Sequence, residues 1–165
     1  MEIYTVTCFG HRDFSNHNKC EKILEYIVKD LIRKKEYVEF LVGRNGEFDI
    51  FFSSVVFRAK KELFDANSSL TLVLPYMTAE YRNNKSYFEN YYDNIEISEK
   101  ASSAYFKSAI NERNFEMIDR ADLVICYIEK KKGGAYQSIK YARKKGVKTL
   151  NLAEFDNDDE IKVFL

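Results

Sequence analysis

Apolar residues fall along this chain in two alternating rhythms. Short runs rich in β-branched and aromatic residues recur at residues 3–9 (IYTVTCF), 36–42 (EYVEFLV), 69–74 (SLTLVL), 123–128 (LVICYI) and 147–152 (VKTLNL). Their length and composition predict strands. Between them, apolar positions recur at helical spacing. Residues 18–35 carry Ile23, Ile27 and Leu31, and residues 49–66 carry Phe52, Val55, Val56 and Ala59. Helical periodicity returns over 101–120 and over 135–145. Asp49 is placed to cap the second helix, Gly146 to end the last, and the only proline, Pro75, to stop the third strand.

Strands alternating with helices predict an α/β domain. The expected architecture is a Rossmann-like three-layer fold: a mostly parallel sheet of about five strands, helices on both faces, right-handed crossovers. Residues 1–165 read as one domain without internal repeats. The rhythm breaks once. Residues 76–100 (YMTAEYRNNKSYFENYYDNIEISEK) are polar and tyrosine-rich, an insertion after strand three whose length and aromatic content predict an ordered, functional lid. The acidic tail after residue 152 reads as peripheral.

Composition narrows the classes. A chain of 165 residues suits one core, and 45% hydrophobic with 32% charged residues predicts a folded, soluble domain. Lys plus Arg and Asp plus Glu number 26 each. That balance argues against broad nucleic-acid or membrane binding, which need a cationic face, and leaves room for a small basic pocket. Three cysteines and two histidines, loosely spaced, match neither a disulfide framework nor a zinc site, so no metal is expected. No signal peptide and no membrane-spanning run is recognised, which predicts a cytoplasmic protein. Twelve tyrosines and thirteen phenylalanines without tryptophan exceed the needs of one core, so some are expected at a pocket or an oligomer interface.

In open α/β sheets, ligands bind beyond the carboxyl ends of the strands. Gly10, His11 and Arg12 follow the first strand; Gly43, Arg44, Asn45, Glu47 and Asp49 follow the second. Pro75 and Tyr76 follow the third, and Gly133-Gly134 comes shortly after the fourth. Singly, the glycines are explained by turns with positive φ, and His11 and Arg12 by solvation. Together they converge on one sheet edge, where arginine forks match phosphate geometry and a helix start offers backbone N–H groups to an anion. Lys130, Lys131 and Lys132 receive no role beyond solvating their turn. Asp49 is read first as a helix cap, while Glu47 is freer to accept ribose hydroxyls or act as a base. In NERNFEMIDRAD, Arg113, Glu116 and Arg120 are spaced as a surface ion-pair ladder, and Asn114 and Asp119 lie near the entry to the fourth strand.

The segments TCFGHRDF, FLVGRNGEFD, LVLPY, NFEMIDRADLVICYI and GGAYQSIKYARKKG, in this order, resemble the YpsA-like branch of the SLOG superfamily. The resemblance implies a Rossmann-like fold that binds nucleotides or nucleotide-derived ligands. Relatives include cytokinin-activating phosphoribohydrolases and sensor domains for NAD- or ADP-ribose-derived signals. It points to Gly10, His11, Arg12, Gly43, Arg44, Asn45, Glu47, Asp49, Gly133 and Gly134 as ligand-binding, and by analogy to a homo-oligomer. The phosphoribohydrolase motif Pro-Gly-Gly-x-Gly-Thr-x-x-Glu is not kept: the chain reads Lys132-Gly133-Gly134-Ala135-Tyr136-Gln137-Ser138-Ile139-Lys140. Loss of its carboxylate argues against glycosidic hydrolysis and leaves binding intact.

The expected function is therefore binding of a nucleotide-derived small molecule (NAD, ADP-ribose or a cyclic relative), to sense or to sequester it, with no cofactor required. Two alternatives stay open. One is a nucleoside-phosphate N-glycosidase using Glu47 or Asp49; the other is a protein-interaction module with a vestigial pocket.

Overall fold

A computed structural model describes residues 1–64, 66–102 and 104–155. Six strands form one sheet: β1 (Ile3–Gly10), β2 (Tyr37–Val42), β3 (Ser68–Leu74), β4 (Asn94–Ile97), β5 (Leu123–Tyr127) and β6 (Lys148–Asn151). All neighbours run parallel, in the order β4-β3-β2-β1-β5-β6. The order reverses between β1 and β5, where a crevice opens at the carboxyl edge of such sheets.

The central strands are rich in apolar residues because both faces are covered. In β1, Val6 and Cys8 face one core, shared with Phe40, Leu72 and Ile125. Helices α1 (His17–Lys34) and α2 (Glu47–Leu63) close that side through residues such as Ile23, Ile27, Phe52 and Val56. Phe9 faces the other core with Leu41, Val73, Val124 and Cys126. There α6 (Ala109–Arg120) contributes Met117 and Ile118, and α7 (Gly134–Lys144) contributes Ile139 and Ala142. Each fully buried aliphatic or aromatic side chain contributes about 1.5–3 kcal/mol by leaving water.

Residues 76–100 depart from the expectation. They fold into α3 (Ala79–Asn83), α4 (Lys85–Tyr91) and β4, which pairs in parallel with β3 from Thr71↔Asn94 to Leu74↔Ile97. Phe88 and Tyr92 are buried in the first core, and the Asp93 carboxylate accepts the Leu70 N–H at 2.7 Å. These anchors turn the tyrosine-rich insertion into the edge of the sheet. The strand was hidden because NIEI is short and half polar, as edge strands often are.

Two helix boundaries also move. The 101–120 periodicity divides into a short α5 (Glu99–Ser102), a 3-10 turn (Phe106–Ser108) and α6. Helix α2 begins at Glu47 behind Gly46, so Asp49 lies in its first turn and accepts the Asn45 N–H at 2.9 Å instead of capping from outside. Most of the acidic tail, residues 156–165, lies outside the described residues. Among the described residues, no helix is long and apolar enough to cross a membrane.

Candidate functional site

Three loops meet at the β1/β5 crevice, and close packing explains how. Gly10 ends β1 against the ring of Phe48: a β-carbon there would stand 2.3 Å from Phe48 Cγ. Gly46 passes the Arg12 backbone, where a β-carbon would lie 2.9 Å from Arg12 Cα. These two glycines are set by contact with neighbours; neither has a positive φ. The Glu47 N–H donates to Arg12 O at 2.9 Å, and Glu47 Oε2 accepts the Phe14 N–H at 3.2 Å. Glu47 thus braces the β1–α1 loop.

His11 ties that loop to the one after β5. Its Nε2 accepts the backbone N–H groups of Glu129 and Lys130, each at 3.1 Å. Two donors on one ring nitrogen require that nitrogen to be unprotonated. Burial, and then Lys130, lower the pKa of His11, opposed by Glu129. Past this bridge the chain turns through Gly133, whose φ of 92° is the one conformational demand for glycine at the site, and enters α7 at Gly134.

The floor of the site comes from α6. Arg113 is only 2% exposed, although no acidic group lies within ion-pair distance of it among the described residues. Oxygens hold it instead: Nε donates to Asn114 Oδ1 at 2.9 Å, Nη1 to Val73 O at 2.8 Å and Nη2 to Asn45 Oδ1 at 2.6 Å. A guanidinium has five N–H donors, so these bonds leave two. Gly43 lies against its face, where a β-carbon would be 3.0 Å from Cζ. Burial lowers the Arg113 pKa, with Asp49, Cys8 and Tyr76 acting to raise it. Asn114 Nδ2 donates to Ser138 Oγ at 3.3 Å, and Ser138 Oγ donates to Gly134 O at 3.0 Å, so one helix positions both the cation and the start of α7.

These elements enclose a cavity of about 400 Å³. Of the residues expected from sequence, Gly10, His11, Arg12, Gly43, Asn45, Asp49, Gly133 and Gly134 line it. Among the described residues, Asp49 is the only carboxylate that lines it. Burial raises the Asp49 pKa, while N–H groups of Asn45 and Gly46 and the charge of Arg113 pull it back. The cavity therefore sets one buried cation and a helix start against a single carboxylate, which suits an anion bearing hydroxyl groups.

The remaining expected residues lie elsewhere. Arg44 turns away: Nε donates to Glu80 Oε1 at 2.9 Å, Nη1 to Tyr92 OH at 3.2 Å, and its guanidinium lies over the Phe88 ring. Its role is to fasten the inserted segment. Tyr76, after Pro75, packs on Phe106 at 4.9 Å between ring centres and does not line the cavity; nor do Pro75 and Glu47. Arg113 and Asn114 are the residues that sequence reasoning misplaced. Among the described residues, only Arg120 of the expected ladder forms ion pairs, with Glu39 and Glu96. The signal was the helical register: Arg113 lies four residues after buried Ala109 and four before buried Met117, hence on the inward face. Among the described residues, no group of three or more His, Cys, Asp or Glu side chains is arranged to hold a metal ion.

No family model and no curated protein matches the chain. Solved structures do. DNA processing protein A (DprA) from Streptococcus pneumoniae superposes with a TM-score of 0.60 at 15% identity, over 89% of this chain and 49% of that one. DprA from Helicobacter pylori, a protein studied for its single-stranded DNA binding mode, gives 0.62 at 17% identity over 98% and 72%. TM1055 gives 0.54 at 16% identity over 88% and 72%. The chain thus spans about half the length of the S. pneumoniae protein. The expectation that balanced net charge argues against broad nucleic-acid binding does not hold for this fold: the H. pylori protein that shares it binds single-stranded DNA. Binding of that kind depends on local charge, which a whole-chain sum does not report. What the comparisons establish for this chain is its fold, the Rossmann-like α/β fold of DprA and TM1055.

Proposed function

We propose that the protein binds a nucleotide-derived small molecule in the β1/β5 cavity, as a sensor or by sequestering it. The observation that carries this reading is Arg113, a buried guanidinium at the cavity floor with two N–H donors left over and no carboxylate partner among the described residues. A phosphate oxygen at that point would meet fixed cationic donors on one side and the N–H groups of the α7 start on the other. Asp49 would take the sugar hydroxyls. The likeness to DprA and TM1055 supports placement in the SLOG superfamily, and the five sequence segments support its YpsA-like branch.

The test is mass spectrometry of small molecules released by heat from the purified protein, with thermal-shift measurements against a nucleotide panel. A released nucleotide, or a Tm raised by one, and loss of either in Arg113→Lys, is the expected outcome. No release and no shift with any nucleotide would remove this reading. Release of a free base or sugar phosphate would instead favour the N-glycosidase, with Asp49 as the carboxylate on the cavity.

A second reading rests on the likeness to the H. pylori protein: single-stranded DNA lying across the loops that carry Arg12, Lys130, Lys131 and Lys132. Fluorescence anisotropy with a labelled oligothymidine at two salt concentrations tests it. Salt-sensitive binding at micromolar protein supports the reading, and a flat titration removes it.

A further inference from the structure

A second cleft of about 470 Å³ adjoins the first. The two share His11, Arg12 and Gly133 in their linings, so the wall between them is the His11 bridge with Arg12 upon it. The first cavity opens toward α6, through Ile110 and Arg113. The second opens toward the start of α1, through Phe14 and Asn16. Together they cross the sheet edge from one layer of helices to the other.

The two halves differ in chemistry. The Arg113 cavity is built for an anion. Beyond the shared Arg12, the second cleft is lined by two cations and two carboxylates, Lys130 and Lys132 with Asp13 and Glu129, and Tyr127 OH accepts from Asn16 Nδ2 at 2.6 Å while donating to Glu129 at 2.7 Å. Carboxylates beside the lysines and a fixed hydroxyl suit a neutral, hydroxyl-bearing group better than a second phosphate. On the wall, Arg12 is exposed, and its side chain makes no hydrogen bond or ion pair among the described residues. It is the only arginine that lines both spaces.

We infer that the ligand is a dinucleotide rather than a mononucleotide. One half fills the Arg113 cavity, the linking phosphate lies against Arg12, and the second nucleoside occupies the Tyr127 cleft with its hydroxyls toward Asp13 and Glu129. This rests on the small-molecule reading proposed above and names its ligand class. Two linked units held by adjoining spaces bind more tightly than one, because the second contact is made intramolecularly.

The experiment is isothermal titration of the full chain and of Arg12→Ala with AMP, NAD (pyrophosphate-linked) and the linear dinucleotide pApA (phosphodiester-linked). At least one dinucleotide should bind the wild type about tenfold or more tightly than AMP. In Arg12→Ala, that dinucleotide should fall to within about threefold of AMP, since a charge-assisted contact to phosphate is gone. NAD or pApA as the tighter ligand identifies the linkage. Equal binding of AMP and both dinucleotides, or an advantage that survives Arg12→Ala, overturns the dinucleotide inference and leaves nucleotide binding standing. No binding of any of the three overturns the dinucleotide inference, and the absence of any shift across the nucleotide panel overturns the broader reading as well. Because Arg12 is exposed and its side chain is unengaged, the variant keeps the fold, and a circular dichroism melt confirms that.

Discussion

Arg113 Nη2 donates to Asn45 Oδ1 at 2.6 Å, joining α6 to the loop after β2 across 68 residues of sequence. The same guanidinium reaches Val73 at the end of β3. One side chain therefore fixes three elements at the carboxyl edge of the sheet. Arg113→Lys keeps the charge but replaces a planar fork by a point donor that cannot serve all three oxygens. Loss of hydrogen bonds to a charged group costs about 1.5–3 kcal/mol, and a chain of this size loses about 2–4 °C of Tm per kcal/mol. A thermal melt should show a fall of several degrees, together with loss of nucleotide-induced stabilisation.

Gly10→Ala places a β-carbon 2.3 Å from Phe48 Cγ, inside a core that already holds Phe14, Phe51 and Phe52 around it. Overpacking of this kind costs about 1–3 kcal/mol or more. The urea midpoint should drop accordingly, and a midpoint equal to that of the wild type would show that β1 can shift to make room.

Gly133→Ala tests a different cause. No atom lies within 4 Å of the added β-carbon, so the penalty is the φ of 92° alone. A cost of about 1 kcal/mol is expected. The turn into α7 should relax, so ligand affinity should fall by more than stability does. Gly146→Ala, at φ 76° after the far end of α7, is the control for strain away from the site.

His11 predicts the direction of a pH effect. Burial and Lys130 lower its pKa in the folded protein, so the unfolded chain binds a proton more readily. The stability that His11 contributes is complete above its ordinary value of about 6.5 and is lost as pH falls through the lowered folded value. Protonation also converts Nε2 from acceptor to donor, which breaks both bonds to the 129–130 backbone. Tm measured from pH 8 to pH 5 should fall more steeply for the wild type than for His11→Ala, and parallel curves would contradict the prediction.

Arg44→Ala tests whether Arg44 serves the inserted segment alone. Its bond to Glu80 is partly exposed, and such pairs contribute about 0.2–1 kcal/mol. The inserted segment should loosen slightly while nucleotide affinity stays at the wild-type value, as measured by titration.

The sequence made the sheet legible because both its faces are buried. Continuous apolar runs such as LVICY have no other stable place, and the five expected strands are all present. The edge strand β4 was not legible: its pairing depends on Phe88 and Tyr92 packing beneath it, a long-range contact that NIEI does not encode. Of the glycines expected at the site, Gly10, Gly43, Gly133 and Gly134 line the cavity. Side-chain direction was another matter. Arg44 and Arg113 are both arginines near the same edge, and which one faces the cavity is decided by Glu80 and by the register of α6. Similarly, the carboxylate on the cavity is Asp49, because the N–H of Phe14 engages Glu47.

The three oxygens around Arg113 bear on the lifetime and selectivity of the proposed complex. A surface arginine must freeze a long chain when it grips a ligand, losing about 2 kcal/mol of rotamer freedom. Here that ordering is complete once the domain has folded. On the proposed reading, an arriving phosphate would find a stationary partner, so the free energy of contact would go into residence time, and an anion whose shape does not fit would find nothing that bends to meet it.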